Sequence, residues 1–150
     1  MSSGFVFTVD RQNYGLPLEV VEEAVAMPWI DRVAESPRDV CGVLDLRGTV
    51  VTVVDPAYRL GAPVRPPRAA DFLLIVRTRA GRVALRVDAL VGLQSGAVTA
   101  VPPPAEGPAF ITGLMQADGL VTLLAIDDFL QPSVRAFLEA QTAAQAKSPA

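Results

Sequence analysis

The stretch DLRGTVVTVVD, residues 45–55, decides the expected fold class, because it sets an arginine and a glycine between apolar, β-prone segments. Valine and threonine favour extended backbone, while glycine allows the positive φ that tight turns require. Together with GVLDL at 42–46, the stretch therefore predicts two strands joined at Arg47 and Gly48. Arg47 is either a simple hairpin corner or a side chain that the corner presents to another molecule.

Short apolar segments, each bounded by a turn, continue in both directions from this hairpin. Asp118-Gly119 is a strong turn signal, and residues 20–27 are expected to be extended because β-branched residues and Pro28 disfavour a helix. The other predicted strands are 5–9, 13–20, 71–78, 82–88, 97–101, 111–117 and 120–126. Many short strands with tight turns indicate an all-β barrel or sandwich.

Two helices are also expected. SPRDVCG at 36–42 predicts a one-turn helix between strands, with Ser36 as its cap, Pro37 at its first position and Gly42 at its end. A longer C-terminal helix is predicted over roughly residues 132–146, because apolar residues recur there on one face.

A weak internal repeat relates the two halves of the chain. SPRDVCGVLDLRGTVVTVVDPAYRL is echoed by GPAFITGLMQADGLVTLLAIDDFL, which matches Gly42 to Gly113 and Asp55 to Asp127. Two copies of a strand–turn–strand unit suggest two similar small barrels packed together, with a binding groove between them. Coincidence among apolar strands is the alternative explanation of this similarity.

Composition narrows the possible functions. Among 150 residues, 51% are apolar and the net charge is −3, which favours a buried core and argues against nucleic acid as a partner. The chain contains no histidine, so the commonest general base and metal ligand are absent, and we expect neither catalysis nor a metal site. Cys41 is the only cysteine, and no signal peptide or membrane span is visible, so a cytoplasmic location is expected.

Several arginines cluster between residues 65 and 86, and we interpret them as a solvated face. They are Arg65, Arg68, Arg77, Arg79, Arg82 and Arg86.

Three segments in order carry a resemblance to a known family. They are YGLPLEVVEEAV followed by VCGVLDLRGTVVTVVD, then VRTRAGRVALRVDALVGL, then FITGLMQADGLVTLLAIDDFL. In this order and spacing, over about residues 4 to 131, the chain resembles the CheW-like coupling proteins of bacterial chemotaxis. The most specific segment is the run from Gly42 to Asp55 that contains the Leu-Arg-Gly motif.

The resemblance implies a mainly β fold of two packed SH3-like five-stranded β-barrels, with a short inter-strand helix and a C-terminal helix. It implies one domain over residues 1–150, with subdomain 1 at roughly 14–64 and subdomain 2 at roughly 70–126. It also implies an adaptor without catalysis or cofactors. The expected partners are the regulatory domain of a CheA-type histidine kinase and the cytoplasmic tip of a methyl-accepting chemoreceptor, at membrane-bound receptor arrays but without insertion into the membrane.

The resemblance also implies a set of partner-binding residues. They are Val21, Glu23, Gly42, Leu46, Arg47, Gly48 and Leu93. We hypothesise that Glu23 pairs with Arg47 and holds its guanidinium in a fixed pose at the rim of the groove. Gly42 and Gly48 are interpreted mainly as backbone requirements that shape the site.

Several positions depart from the family pattern. Thr52 stands where a proline is common, Asp45 adds a negative charge near Arg47, and Arg86 and Ala89 occupy a strand that is often more apolar. These departures leave open a paralogue that binds a receptor but not the kinase, in a motility pathway other than flagellar chemotaxis. A small β-barrel enzyme or ligand-binding module is a third possibility, which would require a deep pocket containing a carboxylate with a shifted pKa.

Overall fold

The structure is a computed structural model that describes residues 1–102, 104–105 and 109–147. Its strands, in chain order, are β1 (Ser2–Val9), β2 (Gln12–Leu16), β3 (Val21–Ala26), β4 (Val40–Leu46), β5 (Thr49–Val54), β6 (Phe72–Thr78), β7 (Gly81–Val87), β8 (Ala89–Ala100), β9 (Ile111–Ala117) and β10 (Gly119–Leu124). Its helices are α1 (Ala57–Leu60), α2 (Ile126–Phe129) and α3 (Pro132–Lys147), and a single 3-10 turn spans Leu18–Val20.

The strands form two five-stranded sheets. A closed barrel has the order β1-β2-β10-β9-β8, and a central sheet has the order β3-β6-β7-β5-β4. In the central sheet, Asp31 just beyond β3 exchanges two backbone hydrogen bonds of 2.8 Å with Val43 of the opposite edge strand β4. The central sheet therefore also curls into a barrel, which confirms the predicted mainly β fold of two SH3-like barrels.

The two sheets have the same topology, which confirms the repeat. In each, one hairpin (β6–β7 or β1–β2) joins a second hairpin (β4–β5 or β9–β10) through a parallel pair of strands. Gly42 pairs with Val53 as Gly113 pairs with Leu123, so these glycines are equivalent. The match of Asp55 to Asp127 is wrong. The same register makes Ala125, and not Asp127, the residue equivalent to Asp55.

The strand pairing divides the chain differently from the subdomain bounds of roughly 14–64 and 70–126. Residues 21–87 supply the whole central sheet, while the closed barrel combines β1 and β2 with the distant strands β8 to β10. The parallel contact between β2 and β10, at Tyr14 and Thr122, closes this arrangement. Pairing between such distant segments leaves no trace in local periodicity, so the sequence suggested two consecutive units.

The predicted one-turn helix at 36–42 is wrong. The backbone N–H of Val40 donates to Pro37 in a turn, and β4 begins at Val40. The carbonyl of Asp39 accepts a 2.7 Å hydrogen bond from the N–H of Asp55, which extends the ladder between β4 and β5. Strand pairing therefore outweighs the local helix signals, and the short helix α1 follows β5 instead.

The other expected elements are mostly present. The hairpins at Arg47-Gly48 and at Asp118 are confirmed, and α3 occupies the predicted C-terminal position. The strand expected at 97–101 is instead the 12-residue β8, which begins at Ala89. It is longer because its first part pairs with β1 and its second part with β9.

A shared core holds the two sheets together. Phe7 and Leu16 of the closed barrel pack in one cluster with Leu74 and Leu85 of the central sheet, and Leu138 of α3 joins them. Each sheet also has a smaller interior cluster of its own. Because the hydrophobic effect scales with buried apolar area, this shared core fixes how the two sheets and α3 are arranged. None of the helices described in the structure is long and apolar enough to cross a membrane.

Candidate partner-binding site

The Arg47-Gly48 corner is a rigid two-residue turn. Arg47 has φ of 52° and Gly48 has φ of 86°, the combination found in type I′ hairpin turns. The Oδ1 atom of Asp45 accepts a 2.7 Å hydrogen bond from the backbone N–H of Gly48. The carboxylate of Asp45 therefore braces the turn that carries Arg47.

Glu23 and Arg47 form the predicted ion pair. The Arg47 guanidinium donates to both carboxylate oxygens of Glu23, with a distance of 3.5 Å between Nη1 and Oε2. The side chain hydrogen bond from Arg47 lowers the pKa of Glu23, so the pair stays charged at neutral pH. Glu23 lies on β3 and Arg47 follows β4, so the pair bridges the two edge strands of the central sheet. An exposed pair adds little stability, and its main effect is to orient the guanidinium.

Three of the predicted residues shape the central sheet from below the surface. A Cβ atom on Gly42 would lie 2.3 Å from the carbonyl oxygen of Asp31, so only glycine fits this crossing of the two edges. Leu46 is 9% exposed and belongs to the interior cluster of the central sheet. Val21 is half-buried against the shared core. Leu46 and Val21 therefore help to position the backbone near Arg47 and Glu23, whereas Gly42 lies nearer the start of β4, where the two edges cross.

Leu93 lies elsewhere. It is on β8, in the closed barrel, and 59% of its surface is exposed. Val91, two residues earlier, is also exposed, so β8 presents an apolar stripe to solvent. The predicted residues thus divide between a charged corner on the central sheet and an apolar stripe on the closed barrel.

A buried ionic network was not predicted from the sequence. Arg86 of β7 is 1% exposed, and its guanidinium contacts Asp88 at 2.8 Å, Asp55 at 3.2 Å and Asp71 at 3.5 Å. Arg65 joins the network at 2.7 Å from Asp71 and 2.5 Å from Asp88. The interpretation of all six arginines as a solvated face is therefore wrong for Arg86. A usable signal was its place between Leu85 and Val87, in a strand buried on both faces.

This network ties the two sheets to each other. The Oδ2 atom of Asp88, which follows the central sheet, accepts a 2.7 Å hydrogen bond from the backbone N–H of Asp10 in the β1–β2 turn. Burial alone would raise the pKa of Asp88, but the hydrogen bond from Arg86 and that from Asp10 lower it. The ionic network therefore fixes the relative position of the sheets from which the corner and the stripe project.

Thr52 is fully buried on β5. Its hydroxyl group hydrogen-bonds to the side chain of Gln141 on α3. The amide of Gln145, one turn later, both accepts from the N–H of Val50 at 3.1 Å and donates to its carbonyl at 2.9 Å. The C-terminal helix is therefore fastened to β5, close to the turn that carries Arg47.

Comparison with known proteins identifies a family. The CheW-like domain matches residues 3–133. Among curated proteins, the chain is 24% identical over 132 residues to the chemotaxis protein CheW of Rhizobium meliloti, with 85% of each chain covered. It is 32% identical over 84 residues to the probable chemotaxis protein CheW of Rhizobium etli, an alignment that covers 56% of this chain and 54% of that protein.

A solved structure shows the same fold. The scaffolding protein TtCheW from Thermoanaerobacter tengcongensis superimposes with a TM-score of 0.71 at 24% sequence identity, covering 86% of this chain and 92% of that one. The family match spans most of the chain and includes both sheets, the Arg47 corner and the β8 stripe. The chain therefore belongs to the CheW-like domain family.

Proposed function

We propose that this chain is a non-catalytic adaptor that couples the cytoplasmic tips of chemoreceptors to the regulatory domain of a CheA-type histidine kinase, in the cytoplasm at membrane-bound receptor arrays. The single observation that carries the proposal is the exposed Arg47, which the turn geometry, Asp45 and Glu23 hold in one pose at the end of the central sheet. A fixed guanidinium recognises carboxylates or backbone carbonyls of a partner with little loss of side-chain entropy.

An adaptor must bind two partners at once, which requires two separate surfaces. We assign the receptor tip to the corner formed by Glu23, Arg47 and Gly48, where polar groups would set its register. We assign the kinase to apolar contacts between barrels, with Leu93 on the exposed stripe of β8 as an anchor. Because the corner and the stripe belong to different sheets, one partner need not displace the other.

The test is calorimetric titration of the full chain with the isolated regulatory domain of the kinase, and separately with a soluble receptor-tip fragment. Arg47→Ala is expected to weaken receptor binding by about tenfold, because a hydrogen-bonded charge is removed. Arg11→Ala is the matched control, since Arg11 is also an exposed turn arginine with a positive φ of 65°. The control corrects for the effect of placing alanine in a left-handed turn.

Each outcome has a distinct meaning. Equal losses of receptor affinity in the two variants would contradict the assignment of Arg47 to the receptor surface. Leu93→Ala is expected to weaken kinase binding while receptor binding is retained. A folded chain that binds the receptor tip but not the kinase domain would instead support the receptor-only paralogue.

A further inference from the structure

The first residues of β5 lie between the Arg47 corner and the pairing of β5 with β7. That parallel pairing covers Thr52 to Val54. Val50 comes before it, and the last turns of α3 lie beside Val50 on this side of the strand. The C-terminal helix therefore borders the central sheet at the point where the pairing of β5 with β7 begins.

The side chain of Gln145 takes the place of a neighbouring strand at Val50. Its Oε1 atom accepts a hydrogen bond of 3.1 Å from the N–H of Val50, and its Nε2 atom donates one of 2.9 Å to the Val50 carbonyl. A carboxamide carries both an acceptor and donors, so it can pair with both backbone groups of one residue, as a strand does in a sheet. Gln145 therefore extends the hydrogen bonding of β5 towards the turn.

Two further contacts fix the position of α3 against the sheet. The hydroxyl group of Thr52 donates to the side chain of Gln141, one helical turn before Gln145. Gly81, at the start of β7, has φ of 126°, and a Cβ atom there would lie 2.6 Å from the Oγ1 atom of Thr142. Glycine thus allows the close approach of the helix that brings the amides to β5. Gln141 and Gln145 together form an amide clamp on this strand.

The amide clamp acts on the exposed end of the β4–β5 hairpin. Val50 pairs with Asp45 across the hairpin, and the Asp45 carboxylate in turn accepts the N–H of Gly48 in the turn. Val50 is 38% exposed, and a cavity of about 500 Å³ lies between α3 and the first residues of β5 and β7, so apolar packing contributes little here. The two hydrogen bonds from Gln145 therefore supply much of the order of this hairpin end.

We propose that Gln145 is a positioning residue for the Arg47 corner. It holds the β4–β5 hairpin in the pose in which Arg47 meets the receptor tip, so that α3 sets receptor affinity without contacting the receptor. This role rests on the proposed function, in which the receptor tip binds at the corner. A hairpin end that moves freely has to be ordered on binding, and this entropic cost lowers affinity. Loss of the two hydrogen bonds should therefore weaken receptor binding about fivefold.

The first experiment measures amide hydrogen exchange of the full chain by NMR, without any partner. Gln145→Met keeps a long side chain that favours a helix but replaces neither hydrogen bond. We expect exchange at the Val50 N–H to become about tenfold faster, while exchange at Leu85 in the shared core is unchanged. Gln116→Met, at an exposed glutamine of β9, is the matched control and should change neither rate. Equal exchange at Val50 in the wild-type protein and in Gln145→Met would overturn the proposal, whatever the partner.

The second experiment titrates the full chain with the soluble receptor-tip fragment by calorimetry, in a double-mutant cycle of Gln145→Met with Arg47→Ala. Gln145→Met alone should weaken binding about fivefold. It should have no further effect in the Arg47→Ala background, because the side chain that it positions is gone. Binding of the regulatory domain of the kinase should be unchanged.

The outcomes separate the positioning role from the proposed function. If Arg47→Ala weakens receptor binding but Gln145→Met does not, although exchange at Val50 is faster, the positioning role is refuted and the receptor site stands. Equal losses from Gln145→Met with and without Arg47→Ala would also refute the role, because Gln145 would then act independently of Arg47. If the receptor tip binds all variants equally, the proposed receptor site is itself wrong, and the positioning role falls with it.

Discussion

Replacing Arg86 by methionine tests whether the buried ionic network holds the two sheets together. The substitution keeps much of the side-chain volume but removes the charge that faces Asp55 at 3.2 Å and Asp88 at 2.8 Å. Removing one member of a buried ion pair generally lowers the unfolding free energy by about 3–5 kcal/mol. We expect the lower end, about 3 kcal/mol, because Arg65 still pairs with Asp71 and Asp88. For a chain of this size, that loss corresponds to a fall in Tm of roughly 10 °C.

The stability of the wild-type protein should also depend on pH through this network. Burial alone would raise the pKa of Asp71, but the Arg65 side chain and the Arg68 backbone N–H lower it, and the pKa of Asp88 is lowered likewise. A lowered folded pKa means that the stabilisation is complete above the ordinary value of 3.8 and is lost as the pH falls through the folded values. Arg86→Met removes part of this stabilisation. The difference in unfolding free energy between the wild-type protein and the variant should therefore become smaller as the pH falls.

Urea unfolding followed by circular dichroism, at about pH 7 and at about pH 2.5, below the ordinary carboxyl pKa of 3.8, measures both effects. Arg82→Met is the control, because Arg82 lies on the same strand but pairs with Glu22 at the surface, at 3.3 Å. It should cost less than about 1 kcal/mol. An Arg86→Met protein as stable as the control at about pH 7 would refute the network's structural role.

Three further predictions follow from packing and burial. Gly42→Ala should lower the unfolding free energy by about 2 kcal/mol or more in the same urea assay, because the new Cβ would meet the Asp31 carbonyl at 2.3 Å; an unchanged midpoint would contradict this contact. Cys41, whose pKa burial raises to about 12, should resist iodoacetamide in the native protein and react once urea unfolds it, as mass spectrometry can show; rapid native alkylation would contradict its burial. Leu138→Ala should lower the unfolding free energy by about 2–5 kcal/mol, whereas Leu120→Ala, at an exposed position, should lower it by less than about 0.5 kcal/mol. Similar losses in the two variants would mean that α3 is not part of the core.

Local chemistry allowed much of the fold to be predicted. The Arg47-Gly48 and Asp118-Gly119 hairpins, the equivalence of Gly42 with Gly113, and the Glu23–Arg47 pair follow from turn residues, strand alternation and family resemblance. Each of these features depends on segments with a distinctive residue pattern.

Features that depend on distant partners could not be predicted in this way. No helix forms at 36–42, because the end of this segment pairs with β5 instead. The parallel contact of β2 with β10 joins segments that lie more than a hundred residues apart in the sequence. Arg86 is buried because three aspartates from separate loops and strand ends converge on it. A cavity around Asp39 likewise forms only when three loops meet.

The order of the strands has a consequence for how the chain folds during synthesis. Residues 21–87 form the central sheet from consecutive strands, so that sheet can assemble as soon as it leaves the ribosome. The β1–β2 hairpin emerges first but must wait for β8 to β10, which takes roughly 5–20 seconds at a synthesis rate of about 5–20 residues per second. During this interval Val6 has no closed barrel to enter, and the shared core around Phe7 is incomplete. The nascent hairpin is thus the part of the molecule most in need of a chaperone.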